Sequence, residues 1–267
     1  EATQKKLIEQ TFNTVAEGYG NPSMRFFHAA AAELPTLFDL AGDEHLLDVA
    51  TGTGIAMCAL APHLGRGKVT GIDFSQGMMD QARTAAAGLA NVTFEHMDMQ
   101  AIVFPEACFD AANCSFGVFF VEDMQGLVAH IAGKLKPGAR FIASSFADDA
   151  FGPNVDLFLQ RIAAYGVEPP PFSWQRISSE DTLAALFASA GLTDVQVHRR
   201  DLSYFLEDVT QWWDIIWFAG FRGLVAQLDE QQLARFKQEH LAEIEQLRTE
   251  QGIPLKIQVL YGVGHAA

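Results

Sequence analysis

The stretch LLDVATGTGIAM, residues 46–57, runs apolar, stops at an acid and turns on two glycines. The apolar run reads as a buried strand, and GIAMCALAPHLG, closing on Gly65, as the helix that follows. A glycine turn between a strand and a helix leaves free backbone N–H groups at a positive helix end, which suits an anionic or polar ligand. A dinucleotide site would carry G-x-G-x-x-G or -A, the third small residue allowing close helix packing. Here Gly52 and Gly54 are followed by Met57, a poor fit to a pyrophosphate and a tolerable one to a ligand without it.

Working outward, KVTGIDF reads as a second strand, followed by Ser75 as N-cap of a helix through QGMMDQARTAAAG. NVTFEHMD is strand three and FDAANCSFG strand four. Leu127, Val128, Ile131 and Leu135 stand at helical spacing before the turn KPG, and ARFIASSFA is strand five. This βα alternation implies a parallel sheet with helices on both faces. Residues 1–45 read as an N-terminal helical cap, and 46–267 as one core with insertions at about 148–177 and 201–254. The first insertion is expected to be irregular. TDVQVHRR is a candidate sixth strand, and residues 207–250 read as two helices, stopped by Gly252 and Pro254. LKIQVLYGVGHA alternates apolar and polar residues as a half-buried last strand would.

The acids fall in register with the glycine loop. Asp73 ends strand two, about 20 residues beyond the loop, where a carboxylate accepts hydrogen bonds from ribose hydroxyls. Asp98 ends strand three, placed to accept from the exocyclic amine of a base, with Phe74 and Met99 beside the two acids to sandwich a purine ring. The alternatives stay open: a loop-capping role for Asp48, a helix-entry role for Asp73, a solvated Asp98, and plain core roles for Phe74 and Met99.

LLDVATGTG, GIDFS, HMDMQ and FDAANCSFGVFF together resemble the successive motifs of class I S-adenosylmethionine-dependent methyltransferases, most closely the ubiquinone and menaquinone C-methyltransferase branch. The resemblance implies an α/β, Rossmann-like, mostly parallel seven-stranded sheet with an antiparallel last strand. It implies S-adenosylmethionine as cofactor, with Asp48, Thr51, Gly52, Thr53 and Gly54 around its methionine portion, Asp73 at the ribose and Phe74 against the adenine. Asp98 and Met99 fall at the adenine edge and Ser115 near the cofactor amino acid. FNTVAEGYG resembles the family segment whose tyrosine reaches the cofactor, which maps to Tyr19, although Gly20 replaces the usual acid.

The implied reaction is methyl transfer to carbon or oxygen of a small, largely apolar or aromatic molecule. Many relatives carry a histidine after strand four, whereas this chain reads SFGVFFVED, with Phe119 and Phe120. His28 in MRFFHAA is the candidate catalytic base; Glu122, His240 and His265 are weaker candidates. Phe26, Phe27, Phe116, Phe119, Phe120, Phe146 and Phe151, with Trp174, Trp212, Trp213, Trp217 and Phe221, are expected around an acceptor pocket, and Arg222 is a candidate partner for an acceptor carboxylate. Two other classes stay open: a cofactor-binding protein without methyl transfer, and a nicotinamide-dependent oxidoreductase.

The 267-residue chain is 49% hydrophobic with a net charge of −15, which argues against nucleic acid as a partner. Cys58, Cys108 and Cys114 show no metal spacing, and no apolar run reaches a membrane span. With no signal-peptide pattern, and a start at Glu1 rather than Met that fits a trimmed start, the expectation is a cytoplasmic protein with a small-molecule acceptor and no metal. The aromatic stretch at 211–221 is also a candidate homodimer face.

Overall fold

The computed structural model describes residues 2–267, with side chains from Lys5 onward, so the first residue of the expected 1–45 cap lies outside the described residues. That cap forms helices α1 (Ala2–Val15), α2 (Phe26–Ala32) and α3 (Leu34–Phe38). The chain then alternates β1 (His45–Val49), α4 (Ile55–Leu60), β2 (Lys68–Asp73), α5 (Gln76–Ala85) and β3 (Val92–His96). After these come β4 (Phe109–Ser115), α6 (Met124–Gly133), β5 (Leu135–Phe146), α7 (Asn154–Ala164), α8 (Glu180–Ser189) and β6 (Thr193–Asp201). A short antiparallel pair, β7 (Tyr204–Leu206) and β8 (Ile253–Leu255), brackets α9 (Val209–Phe218), α10 (Arg222–Val225) and α11 (Glu230–Glu245). β9 (Gln258–His265) completes the main sheet.

That sheet has seven strands in the order β3-β2-β1-β4-β5-β9-β6. The first five run parallel, and β9 is antiparallel to both β5 and β6. The expected mostly parallel, Rossmann-like sheet with an antiparallel last strand is therefore what forms. Side-chain caps start the helices where their sequences supply them: Ser75 accepts from Met78 N–H, Asp123 from Gly126 N–H and Asp229 from Gln232 N–H.

Met57, the large residue where a dinucleotide loop would be small, is fully buried, and a Cβ on Gly71 of β2 would stand 2.4 Å from its methyl carbon. The glycine in β2 makes room for the side chain. Gly54, at φ 83°, lets α4 approach α5 so closely that an added Cβ would lie 3.1 Å from Ala82 Cβ.

Four local expectations need correction. The insertion after β5 is not irregular throughout, because Val155, Phe158 and Ile162 give α7 a buried face. Residues 207–250 contain three helices rather than two: Ala219 and Gly220 interrupt α9, and α10 is a single turn before the Asp229 cap. KPG does not end a helix but lies inside β5, with Gly138 at φ 77° and a register shift against β4. The last strand is buried on both faces because it lies between β5 and β6, and α2 covers it through the Tyr261 hydroxyl, which donates to the Ala30 carbonyl at 2.8 Å.

Candidate functional site

The carboxyl ends of β1, β2, β3 and β4 open into one cavity of about 960 Å³, as open parallel sheets favour. Its floor is polar and its roof aromatic. Ala50 and Phe116, at the ends of β1 and β4, adopt left-handed backbone at φ 54° and 53°, a strain that non-glycine residues tolerate only where their surroundings hold them. The two turns touch, since a Cβ on Gly117 would stand 3.1 Å from Ala50 Cβ.

Asp48 is almost fully buried beneath the glycine turn. Thr51 Oγ1 donates to its Oδ2 at 2.6 Å and Asn113 Nδ2 to its Oδ1 at 2.7 Å. Burial pushes the Asp48 carboxyl up to about 6, against the pull of those two bonds. At the end of β2, Asp73 Oδ2 accepts from Gly52 N–H at 2.9 Å and Oδ1 from Ser75 N–H at 2.8 Å, so one carboxylate ties the glycine turn to the start of α5. Burial raises its pKa, while those backbone bonds hold it down. Asp98 accepts from Gln100 N–H at 2.9 Å and pairs with the Lys5 ammonium from α1.

The structure brings Tyr19, Asp48, Thr51, Gly52, Thr53, Asp73, Phe74, Asp98, Met99 and Ser115 to the cavity wall. Gly54 does not line it and acts through helix packing instead. Ser115 Oγ exchanges hydrogen bonds with the Asn113 amide, which also holds Asp48. Tyr19 stacks on Phe27 with ring centroids 5.0 Å apart, and burial, with the Asp73 charge second, keeps its phenol protonated.

His28 is not brought to the cavity. On α2 it follows Phe27, which faces inward, and the roughly 100° turn per residue of a helix leaves it exposed to solvent. Neither do the other histidine candidates reach it. His240 is buried in the 201–254 insertion, where its Nε2 accepts from Trp212 Nε1 at 2.8 Å, and His265 receives Arg140 Nε at 3.4 Å. Glu122 does line the cavity, at its exposed rim. Of the expected acceptor-pocket aromatics, Phe27, Phe116, Phe119 and Phe120 form walls. Phe26, Phe146, Phe151, Trp174 and Phe221 pack on one another instead, Phe146 lying 4.9 Å from Phe151 and 5.7 Å from Trp174. Trp212 and Trp213 are buried between α9 and its neighbours in the 201–254 insertion, which removes most of the expected dimer face. Arg222 stacks over Trp217 at 4.5 Å and does not line the cavity.

Sequence reasoning gave the N-terminal cap but passed over the cavity-lining face of α1, and it passed over Arg176. Lys5, Ile8 and Phe12 line the cavity, Phe12 standing edge-on to Phe120 at 5.2 Å, and Asn13 Oδ1 accepts from Ser75 Oγ and Gly77 N–H. The i, i+4, i+7 spacing of Ile8, Phe12 and Val15 was the available signal. Arg176 donates to the carbonyls of Phe119, Val121 and Glu122, which fixes the wall after β4; no motif announces it.

The residues present fit the implied cofactor. Thr53 Oγ1 is buried without a hydrogen-bond partner at the floor, where a polar group of a ligand would satisfy it. Asp73 retains lone pairs toward the cavity, and Phe74, Met97 and Met99 give a flat apolar bay at the ends of β2 and β3. Charged, hydroxylic and aromatic needs are thus met in sequence along one wall.

Comparison with known proteins agrees. A family described as a methyltransferase domain matches residues 46–138. The chain is 30% identical over 148 residues to the aklanonic acid methyltransferase DauC of Streptomyces sp. strain C5, covering 54% of this chain and 67% of that protein. It is 31% identical over 170 residues to a demethylmenaquinone methyltransferase of Clavibacter sepedonicus, covering 58% of this chain and 68% of the relative. The crystal structure of the YcgJ protein from Bacillus subtilis superposes with a TM-score of 0.60 at 18% identity, over 89% of this chain and 98% of that one.

Proposed function

The chain belongs to the class I S-adenosylmethionine-dependent methyltransferases, and on that premise we propose how its residues divide the work of methylating a small, largely apolar acceptor. The observation that carries the proposal is the single cavity whose polar floor and aromatic roof meet at the ends of β1 and β4. Bound there, S-adenosylmethionine supplies an electrophilic methyl group on a sulfonium sulfur.

The chain's own part is placement. Asp48, Thr51, Gly52, Thr53 and Ser115 hold the methionine portion, with the ionised Asp48 favouring the ammonium end. Asp73 holds the ribose. Asp98, Phe74 and Met99 hold the base, and Tyr19 presents a neutral hydroxyl donor between floor and roof. Phe12, Phe27, Phe116, Phe119 and Phe120 exclude water and seat an apolar ring, so that nucleophile and methyl carbon meet in line. In this division, residues 1–45 act as a cap over the 46–267 core, and the insertions at about 148–177 and 201–254 support the acceptor wall, the first through Arg176. We place the protein in the cytoplasm, in keeping with its three free cysteines, with small molecules rather than nucleic acid as partners. Any homodimer would use the half-buried Trp217 and Phe218 at the end of α9.

The test is transfer of label from methyl-labelled S-adenosylmethionine to a panel of bicyclic and tricyclic phenols, quinols and aromatic acids. Labelled product from at least one apolar acceptor, and none from tRNA or DNA, is expected. Labelling of nucleic acid alone contradicts the acceptor class.

A further inference from the structure

The ionisable groups on the cavity wall divide by what they can do with a proton. Three of the four carboxylates are engaged: Asp48 by Thr51 and Asn113, Asp73 by two backbone N–H groups, Asp98 by Gln100 and Lys5. Glu122, the fourth, stands exposed at the rim. The two cations, Lys5 and Arg176, are held by Asp98 and by backbone carbonyls. Tyr19 is kept protonated. Among the described residues no histidine lines the cavity. With Thr53 and Ser115 taken up by the cofactor, the described residues of the interior offer the acceptor one hydroxyl donor, Tyr19, and no free base beside the aromatic seat.

Such an interior stabilises an oxyanion and cannot create one from an ordinary phenol. Building on the methyltransferase reading, we propose that the acceptor is an acid in its own right, a carboxylic acid or an enol acidified by neighbouring carbonyl groups on an apolar ring system, which enters already ionised. Its proton is lost to solvent before binding. In the transfer, an electron pair of the acceptor anion forms the bond to the methyl carbon while the carbon–sulfur bond breaks, and that pair stays on sulfur. One negative and one positive charge disappear together, a change that a dry, weakly screening cavity favours. No base is needed at any point.

The test uses three ligands on one naphthalene skeleton: 1-naphthoic acid, 2-hydroxy-1,4-naphthoquinone and 1-naphthol. Each is titrated calorimetrically into the purified protein, alone and saturated with S-adenosylhomocysteine, and each is assayed for turnover with S-adenosylmethionine. At neutral pH the two acids are expected to bind at least about ten-fold more tightly than 1-naphthol and to be the ones methylated. That preference should fade as pH falls below each ligand's own pKa. Glu122→Gln is expected to change turnover of the acids by less than about three-fold, because a rim carboxylate is not the base. Preference for 1-naphthol, indifference among the three, acceptance of none, or loss of turnover in Glu122→Gln overturns the proposal. Failure of S-adenosylhomocysteine to bind at all would instead sink the methyltransferase reading beneath it.

Discussion

The two halves of the cavity are built in opposite ways. In the cofactor half, each decisive contact joins residues that are near in sequence or on adjacent strands: Thr51 to Asp48, Ser75 to Asp73, Gln100 to Asp98, Gly52 to Asp73. Backbone N–H groups supply half of the donors to the three acids, so side-chain identity matters at few positions. In the acceptor half, walls come from distant segments: Phe12 against Phe120, and Arg176 on the carbonyls of Phe119, Val121 and Glu122. The first half fixes one shared ligand by local geometry. The second is shaped by packing, which can change with the acceptor while the floor stays the same.

The largest expected effect separates the halves. Asp73→Ala removes the carboxylate that holds both Gly52 and Ser75 N–H groups and should weaken S-adenosylmethionine binding by about 100-fold or more, since hydrogen bonds to a charged group contribute roughly 1.5–3 kcal/mol each. Acceptor binding to the mutant, read by tryptophan fluorescence, should change little. A comparable loss of both would mean that the halves are not independent.

Next in size is an acid effect confined to the 201–254 insertion. Burial pushes His240 down to about 4, from an ordinary 6.5, so its neutral form is favoured in the folded state. Its contribution is full above pH 6.5 and is lost as pH falls through about 4, amounting to roughly 3 kcal/mol at about 1.4 kcal/mol per unit. His240→Gln, which keeps an acceptor for Trp212 Nε1, should flatten this part of the stability curve in denaturant titrations between pH 4 and 7. An unchanged acid limb would place the sensitivity elsewhere.

Asp48 reverses that sign on the floor. Its folded pKa of about 6 lies above the ordinary 3.8, so the stability it contributes is present below pH 3.8 and lost as pH rises through 6. Cofactor affinity should run the other way, falling by up to about ten-fold per unit below pH 6 as the carboxylate is protonated. Asp48→Asn should abolish the slope. The smallest effect belongs to Lys5→Met: a half-exposed pair with Asp98 is expected to contribute under about 1 kcal/mol to stability, and a larger drop in melting temperature would give α1 more weight than its ion pair carries.

How far each half was legible in the sequence follows from the same contrast. The glycine turn, the two acids and the Ser75 cap each announce themselves within a dozen residues, because backbone geometry and helix starts are local problems, whereas the antiparallel direction of the last strand came from the family resemblance alone. Met57 even ruled against a dinucleotide correctly, for a reason visible only with Gly71 in place. The aromatic seat was not legible. Phe27 and Phe26 are adjacent, yet one lines the cavity and the other packs against Phe151, and nothing in MRFFHAA decides which. His28 failed on the same ground, since the rotation of a short helix is set by what it packs against, here β9 through Ala30 and Tyr261. Arg176, in the short turn between α7 and α8, stands in no periodic pattern and carries no signal at all.

The central claim is that the floor holds S-adenosylmethionine. The most direct measurement is calorimetric titration of the purified protein with S-adenosylmethionine, S-adenosylhomocysteine and NAD in parallel. Micromolar binding of the first two at one site per chain, with no heat from NAD, is the predicted result. Saturable binding of NAD without either adenosyl ligand would contradict it, and would mean that Met57 had been accommodated for a pyrophosphate after all.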